Sequence, residues 1–406
     1  MNRRSSSAAR KLMLAVLAVL PTAVMAAPAR ADDFYTPPST LPATNGDVVR
    51  SEPSAFHLDP LRTIPAPATV HRIMYRSTDA HGAPMAVTGA VLTPTKPWAG
   101  RGQRPVVGYA VGTQGSGDQC APSRQLAAGT EYEGGFLSGL LARGYGVAVT
   151  DYQGLGTPGV HTYVVRAATG HAVLDAVRAA QRLDVAGLPD AGPVALAGYS
   201  QGGGGSAAGA ELEPAYAPEL DLRGAYAGAV PAALDAVARS LDGGAFAGFM
   251  LYAINGLDAA YPELDMPTVL NDAGDAAFVA TQGQCTVETV ANYAFVRSSS
   301  LTVSGESASA LLEREPYRSV IAEQQIGIRS PVAPALVVHS TLDDVVPYAQ
   351  GRAMARSWCA MGARVHFETS VAPTHVGAAA AAFPVAFGWL EARFAGLPAV
   401  GNCGRF

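Results

Sequence analysis

The sequence predicts an α/β fold, a mostly parallel sheet flanked by helices, with a helical segment inserted late in the chain. Three observations carry this. From about residue 70 onward, short apolar runs of strand length alternate with helix-spaced runs, the pattern of a parallel sheet covered on both faces. One strand-like run leads directly into a small-residue turn and a Gly- and Ala-rich stretch, Gly198 to Ala208. The region 231–330 then breaks the alternation and reads as helix, with no strand run of comparable quality. A chain of 406 residues, 49% hydrophobic and 15% charged, is long and apolar enough to bury a large core.

Residues 1–31 read as an export signal. Arg3, Arg4, Arg10 and Lys11 form a basic start, and Leu12 to Ala27 is an apolar run broken by Pro21. Ala29-Arg30-Ala31 fits the small-x-small pattern before a cleavage site, which places the mature start at Asp32. The apolar run is shorter than the roughly 20 residues a membrane span needs, which argues against an anchor. Cleavage removes five positive charges and no acids, moving the formal charge from −5 to −10. An acidic mature chain without a basic cluster excludes nucleic acid as a partner. Cys120, Cys285, Cys359 and Cys403 all lie in the mature part, and an even count in an exported chain predicts two disulfides. Spacing alone leaves all three pairings open, and the absence of a CxxC pair or His cluster speaks against zinc.

Residues 32–69, rich in Pro, Ser and Thr, form an N-terminal surface segment without clear periodicity. The core is expected over 70–230 and 331–406. Its strands are predicted at Val70 to Tyr75, Met85 to Leu92, Pro105 to Val111, Gly146 to Thr150, Pro193 to Gly198, Leu222 to Val230, Pro334 to His339 and Ala363 to Ser370. Helices are predicted at Ala167 to Arg182, with Val173, Leu174, Val177 and Ala180 on one stripe, at Tyr348 to Met361 and at Ala378 to Phe394. Residues 231–330 become a helical cap over the C-terminal edge of the sheet.

Gly198-Tyr199-Ser200-Gln201-Gly202 matches G-x-S-x-G between a strand and a small-residue helix. A nucleophile elbow forces its Ser into a strained turn, so the flanking positions must be small. The helix N-terminus beneath it favours a developing oxyanion. In an α/β-hydrolase the acid and then the His follow the Ser along the chain. Three His follow Ser200. His339 lies within a strand end and precedes the best acid, and His366 alternates inside a strand as a structural residue. His375 sits in the loop Ala372 to Gly377 after a strand, where a general base can reach the nucleophile. For the acid, Asp343 is preferred to its neighbour Asp344 by its register before Pro347, and Asp344 becomes a turn or capping residue for the next helix. The oxyanion donors are the backbone N–H of Gln201 and, from the flexible loop Val111 to Gly115, Gln114 through its backbone N–H, its side-chain amide or both. Gly154-Leu155-Gly156 lacks the context of a phosphate loop, Asp151 precedes the nucleophile, and His161 and His171 read as structural.

Taken in order, these segments resemble the secretory lipase family, which includes fungal lipase A enzymes and exported actinobacterial relatives. The resemblance is carried by Gly108 to Val111, Cys120-Ala121-Pro122-Ser123, Asp151 to Gly156, Leu174 to Ala179, the elbow, the Asp343 segment and Thr374-His375, spanning about residues 70–403. It implies an α/β-hydrolase core with a helical cap, hydrolysis of carboxylic esters, often of lipids, and the triad Ser200, Asp343 and His375. It also implies oxyanion donors at Gln114 and Gln201 and disulfides pairing Cys120 with Cys285 and Cys359 with Cys403. One departure stands out: the fungal enzymes have Asp where this chain has Gln114. The expected reaction is acyl transfer without metal or organic cofactor, on an ester or lipid substrate, with transient contact with lipid interfaces and no obligate protein partner. Rival readings are a short-chain esterase, a polyester hydrolase or peptidase with the same triad, and an inactive secreted binding protein on a hydrolase scaffold.

Overall fold

A computed structural model describes residues 33–406, so the export signal expected over residues 1–31 lies outside the described residues. One nine-stranded sheet organises the chain. Its strands are β1 (Val48–Ser54), β2 (Ala68–Thr78), β3 (Pro84–Pro94), β4 (Val106–Ala110), β5 (Gly146–Thr150), β6 (Pro193–Tyr199), β7 (Asp221–Gly228), β8 (Ala335–Ser340) and β9 (Val365–Ser370). They lie in the order β1-β2-β3-β5-β4-β6-β7-β8-β9. The pairs from β1 to β5 are antiparallel, and those from β5 through β4 to β9 are parallel.

Every residue of β4 and β5 is buried, as is all of β6 after Pro193. Such strands read as unbroken apolar runs because helices cover both faces. The helices preceding the elbow are α1 (Pro122–Ala128), α2 (Gly134–Ala142) and α3 (Arg166–Gln181), and α4 (Gln201–Tyr216) follows it. Between β7 and β8 come α5 (Leu234–Leu241), α6 (Phe249–Ala260), α7 (Asp272–Thr281), α8 (Thr286–Tyr293), α9 (Ala308–Leu311) and α10 (Tyr317–Glu323). The chain closes with α11 (Tyr348–Ala360) and α12 (His375–Phe394). Between β7 and β8 the described residues form no strand, only the isolated bridge Leu270–Thr302 within that segment.

Two differences from the sequence reading have physical causes. The segment 32–69 is not wholly irregular, since β1 pairs antiparallel with β2 along the sheet edge. Its sequence VVRSEPS carries Pro53 and buries no residue fully, so no alternation marks it. His375 does not lie in the loop but opens α12, where the Thr374 side chain accepts from Gly377 N–H as the cap.

The cysteines pair as Cys120–Cys285 and Cys359–Cys403, with Cα separations of 5.5 and 5.6 Å. The first joins the segment before α1 to the start of α8. The second joins the end of α11 to the C-terminal segment, which also hydrogen-bonds to β9 through Asn402 and Phe367.

Candidate active site

Ser200 stands between β6 and α4 at φ 59°, a left-handed conformation that costs a non-glycine residue strain. Its N–H is anchored to the Gly228 carbonyl on β7 at 2.9 Å, and its side chain makes no cap bond to α4, so the hydroxyl stays uncommitted. The turn tolerates nothing larger at its flanks. A Cβ on Gly198 would lie 2.2 Å from the Gly202 carbonyl oxygen, and one on Gly202 would lie 2.0 Å from that of Ala110. This is why the motif demands glycine at both positions.

Tyr199, the residue before Ser200, brings the α12 end to the elbow. Its hydroxyl donates to the His375 carbonyl at 2.9 Å, and the two rings lie 5.0 Å apart. Both Asp343 carboxylate oxygens lie within 2.9 Å of His375 Nδ1. Nδ1–H is thereby committed, and Nε2 is the ring nitrogen with no partner among the described residues. Asp343 Oδ1 also accepts from the N–H groups of Val345 and Val346 at 3.0 and 2.8 Å. Burial alone would raise the Asp343 carboxyl. The hydrogen bond and charge of His375, with those two N–H groups, outweigh it and hold the carboxyl below its usual range.

Asp344 plays a different part from the one expected. α11 begins at Tyr348 after the N-cap Pro347, without a side-chain cap, and Asp344 Oδ1 instead accepts the His375 N–H at 2.7 Å. The two neighbouring acids thus grip ring and backbone of the same His. His339 is buried beside them, with Nε2 on the Val346 carbonyl at 2.9 Å, and burial lowers its pKa. His366 lies on β9, 3.5 Å from Glu368, away from this cluster. His171 stacks on Tyr216 and faces the Thr78 carbonyl. Asp151 is buried, holding Ser123 and Thr88.

The loop after β4 faces the elbow. Gln114 is buried and its side chain is tied inward: Nε2 donates to Glu131 at 3.1 Å and Oε1 accepts from Gln125 at 2.7 Å. Its backbone N–H has no acceptor among the described residues. The Gln201 N–H opens α4 and points out of the helix end unpaired. The Gln201 side chain is steadied by a residue without a motif, His161. Its Nδ1 meets the Gln153 carbonyl at 2.9 Å and Nε2 meets Gln201 Nε2 at 3.1 Å. A ring that donates at Nδ1 and accepts at Nε2 must be neutral, and complete burial keeps it so by lowering its pKa to about 4.

Ser200 and Gln201 open onto an apolar cavity walled by Leu234, Val237, Phe249, Ile254 and Val345. A second apolar cavity, reaching Leu270 and Leu301, shares Ile254, Leu257, Ala308, Leu312 and Ile321 with the first. Among the described residues no group of three or more His, Cys, Asp or Glu could hold a metal ion.

The parallel sheet, the elbow and the inserted helices together define an α/β-hydrolase. A profile of the secretory lipase family matches residues 121–402, and the chain belongs to that family. Lipase 2 of Candida albicans is 29% identical over 97% of this chain and 88% of its own length. "Probable inactive lipase MT1628" of Mycobacterium tuberculosis is 30% identical over 90% of this chain and 82% of its own. The crystal structure of Candida antarctica lipase A in its closed state has a TM-score of 0.80 at 25% identity, covering 92% of this chain and 88% of that one. The chain is therefore a hydrolase of the lipase and esterase kind.

Proposed function

We propose that this chain is a secreted serine carboxylester hydrolase acting on lipid esters, exported by a signal peptide cleaved after Ala31. Residues 231–330 act as a cap that holds the acyl chain. The observation that carries the substrate class is the apolar cavity opening on Ser200, whose walls continue into a second apolar cavity. An acyl chain threaded through both would bury its methylenes away from water, each worth about 0.8 kcal/mol. That length favours long-chain esters over a short-chain esterase or a peptidase, whose substrates would leave such space unused.

In this reading His375 Nε2 takes the Ser200 proton as Oγ attacks the ester carbonyl, and Asp343 holds the tautomer and stabilises the imidazolium. The oxyanion is met by the backbone N–H groups of Gln114 and Gln201. Because the Gln114 side chain is tied to Glu131 and Gln125, its backbone N–H is the donor left for the oxyanion. The alcohol leaves with the proton from His375, and water deacylates Ser200 with His375 again as base.

The probable-inactive relative makes the decisive test a direct one. A fluorophosphonate should label Ser200 stoichiometrically. Ser200→Ala should remain folded, fail to label and lose ester hydrolysis by a factor on the order of 10⁴ or more. A parent protein that neither labels nor turns over a panel of esters would refute the assignment and leave a binding role on a hydrolase scaffold.

A further inference from the structure

The oxyanion loop rests on two buried acids that no step above uses. Glu131 and Glu133 flank the exposed ring of Tyr132 just before α2, and both carboxyls are buried against residues 112–114. Glu133 Oε2 accepts the Gly112 N–H at 2.7 Å. Glu131 Oε1 accepts from the Gln114 side chain at 3.1 Å and from the Glu133 N–H at 3.0 Å. Glu131 Oε2 is buried with no partner among the described residues. The two ends of Gly112-Thr113-Gln114 therefore hang on this pair.

Among the described residues no positive charge shifts either acid. The groups facing the pair are Tyr109 on β4, Tyr226 on β7, Asp151 and Tyr152 after β5, and Tyr132 between the two acids. All are neutral or acidic, and α2 carries no charged residue. Arg124 on α1 acts on Asp151 and stacks over Tyr35. Burial raises both carboxyls above the usual range, and the charge of Glu131 raises Glu133 further. Two like charges in so dry a space are the arrangement in which one acid keeps its proton.

We propose that Glu131 and Glu133 are positioning residues of the oxyanion hole, which hold Gly112–Gln114 in donating position only while Glu133 retains a proton. This rests on the reading of Gln114 N–H as an oxyanion donor. Glu131, ionised, receives the Gln114 amide and the Glu133 N–H. Glu133, neutral, receives the Gly112 N–H. As pH rises the Glu133 proton passes to bulk water, leaving two buried carboxylates side by side. The loop must then shift or admit water, and the Gln114 donor leaves its position. A raised carboxyl keeps its neutral form through neutrality, so the loss falls on the alkaline side. Stability follows the same sign: the folded form holds these protons more tightly than the unfolded one, so stability declines as pH climbs from the ordinary Glu range to the raised values.

The test is kcat on a short soluble nitrophenyl ester, from about pH 6 to about pH 10, for the parent, Glu133→Gln and Glu131→Gln, with fluorophosphonate titration of Ser200 at neutral pH. The parent should lose kcat about tenfold or more on the alkaline side with KM little changed, since one oxyanion donor is worth about 10²–10³ in kcat. Glu133→Gln, whose amide oxygen still accepts from Gly112, should keep at alkaline pH the kcat that it shows at neutral pH. Glu131→Gln leaves Glu133 to ionise alone, so no second carboxylate forms beside it and the alkaline loss should shrink as well. Loss of the alkaline limb on removing either carboxyl is not expected of two merely structural side chains. If Glu133→Gln fails to fold, the flattened limb of Glu131→Gln still decides. Stoichiometric labelling with coincident alkaline limbs in all three proteins would overturn the proposal alone. Absence of labelling in the parent would overturn the site reading and this proposal with it.

Discussion

Replacing Asp343 with Asn tests the acid assignment, and the structure dictates which way the new amide must face. Asp343 Oδ1 accepts the N–H groups of Val345 and Val346, so in Asp343→Asn the amide oxygen stays with them. The NH₂ group then occupies the Oδ2 position, 2.8 Å from His375 Nδ1. A donor there requires Nδ1 to accept, which moves the ring proton to Nε2 and leaves no base for Ser200. The loss expected for a wrong tautomer with intact geometry is about 10⁴ in kcat, about 5 kcal/mol of transition-state stabilisation. Asp344→Asn differs, because its oxygen can still accept the His375 N–H as Asp344 Oδ1 does at 2.7 Å. It should keep kcat within about threefold, a change below 1 kcal/mol. The assay is active-site-titrated kcat on a soluble ester, with thermal unfolding to confirm that each variant folds. The depressed Asp343 carboxyl contributes stability above the ordinary Asp range that is lost as pH falls through its lowered value. The acid side of the stability profile should therefore flatten in Asp343→Asn. Retention of activity within about tenfold of the parent, or equal damage from Asp344→Asn, would refute the assignment.

Leu312 lies where the two apolar cavities meet. Leu312→Trp should leave short-chain ester hydrolysis near the parent level and lower kcat/KM on long-chain esters by about tenfold or more, read from a chain-length panel. The Cys120–Cys285 bond spans 165 residues, so Cys120→Ser with Cys285→Ser should cost on the order of 3–5 kcal/mol of stability by denaturant titration. Reducing agent should reproduce the loss in the parent and leave that double variant much less affected. His161→Gln should abolish a proton-linked instability. The parent ring, held neutral with a pKa of about 4, takes up protons more weakly folded than unfolded, so stability drops as pH falls from about 6.5 toward 4. The variant, with no ring to titrate, should show a shallower decline over that window.

What the sequence disclosed and what it concealed divide along a physical line. The elbow was legible because one strained φ and two backbone approaches near 2 Å fix three residue types within five consecutive positions. The central strands were legible because burial on both faces leaves an apolar run. β1 carries neither signal, being a half-exposed edge strand with a Pro. Thr374 at φ 60° lets α12 start at His375 itself, a local conformation that Pro373-Thr374-His375 does not announce. Glu131-Tyr132-Glu133 matches no motif and drew no reading from the sequence. Its burial comes from docking against the loop after β4 and the tyrosines of β4 and β7, contacts that span 17 residues or more and leave no periodic mark. His161 is hidden for the same reason, since its partner Gln201 is 40 residues away.

The loop proposed to carry the oxyanion donor is held from two sides, which bears on how the proposed cap can behave. Beneath it lie Glu131 and Glu133. From the cap, Thr286 N–H donates to the Gln114 carbonyl at 3.0 Å and Thr286 Oγ1 to the Thr113 carbonyl at 2.9 Å. Ser116 N–H donates to the Gln284 carbonyl at 3.0 Å, and the Cys120–Cys285 bond closes the seam. Every bond that orients the carbonyl side of Gln114 thus comes from residues 284–286, so the start of α8 belongs to the rigid frame of the site. A cap that swung open as one body would carry this seam with it and dismantle the oxyanion loop. Admission of substrate is compatible with this frame only if the motion spares the seam. α6 is fastened to it, since the buried Tyr252 hydroxyl donates to the Gln284 carbonyl at 3.2 Å and to Thr289 Oγ1 at 2.6 Å, which leaves α5 and α9, whose Leu234, Val237 and Ala308 line the cavity with apolar side chains.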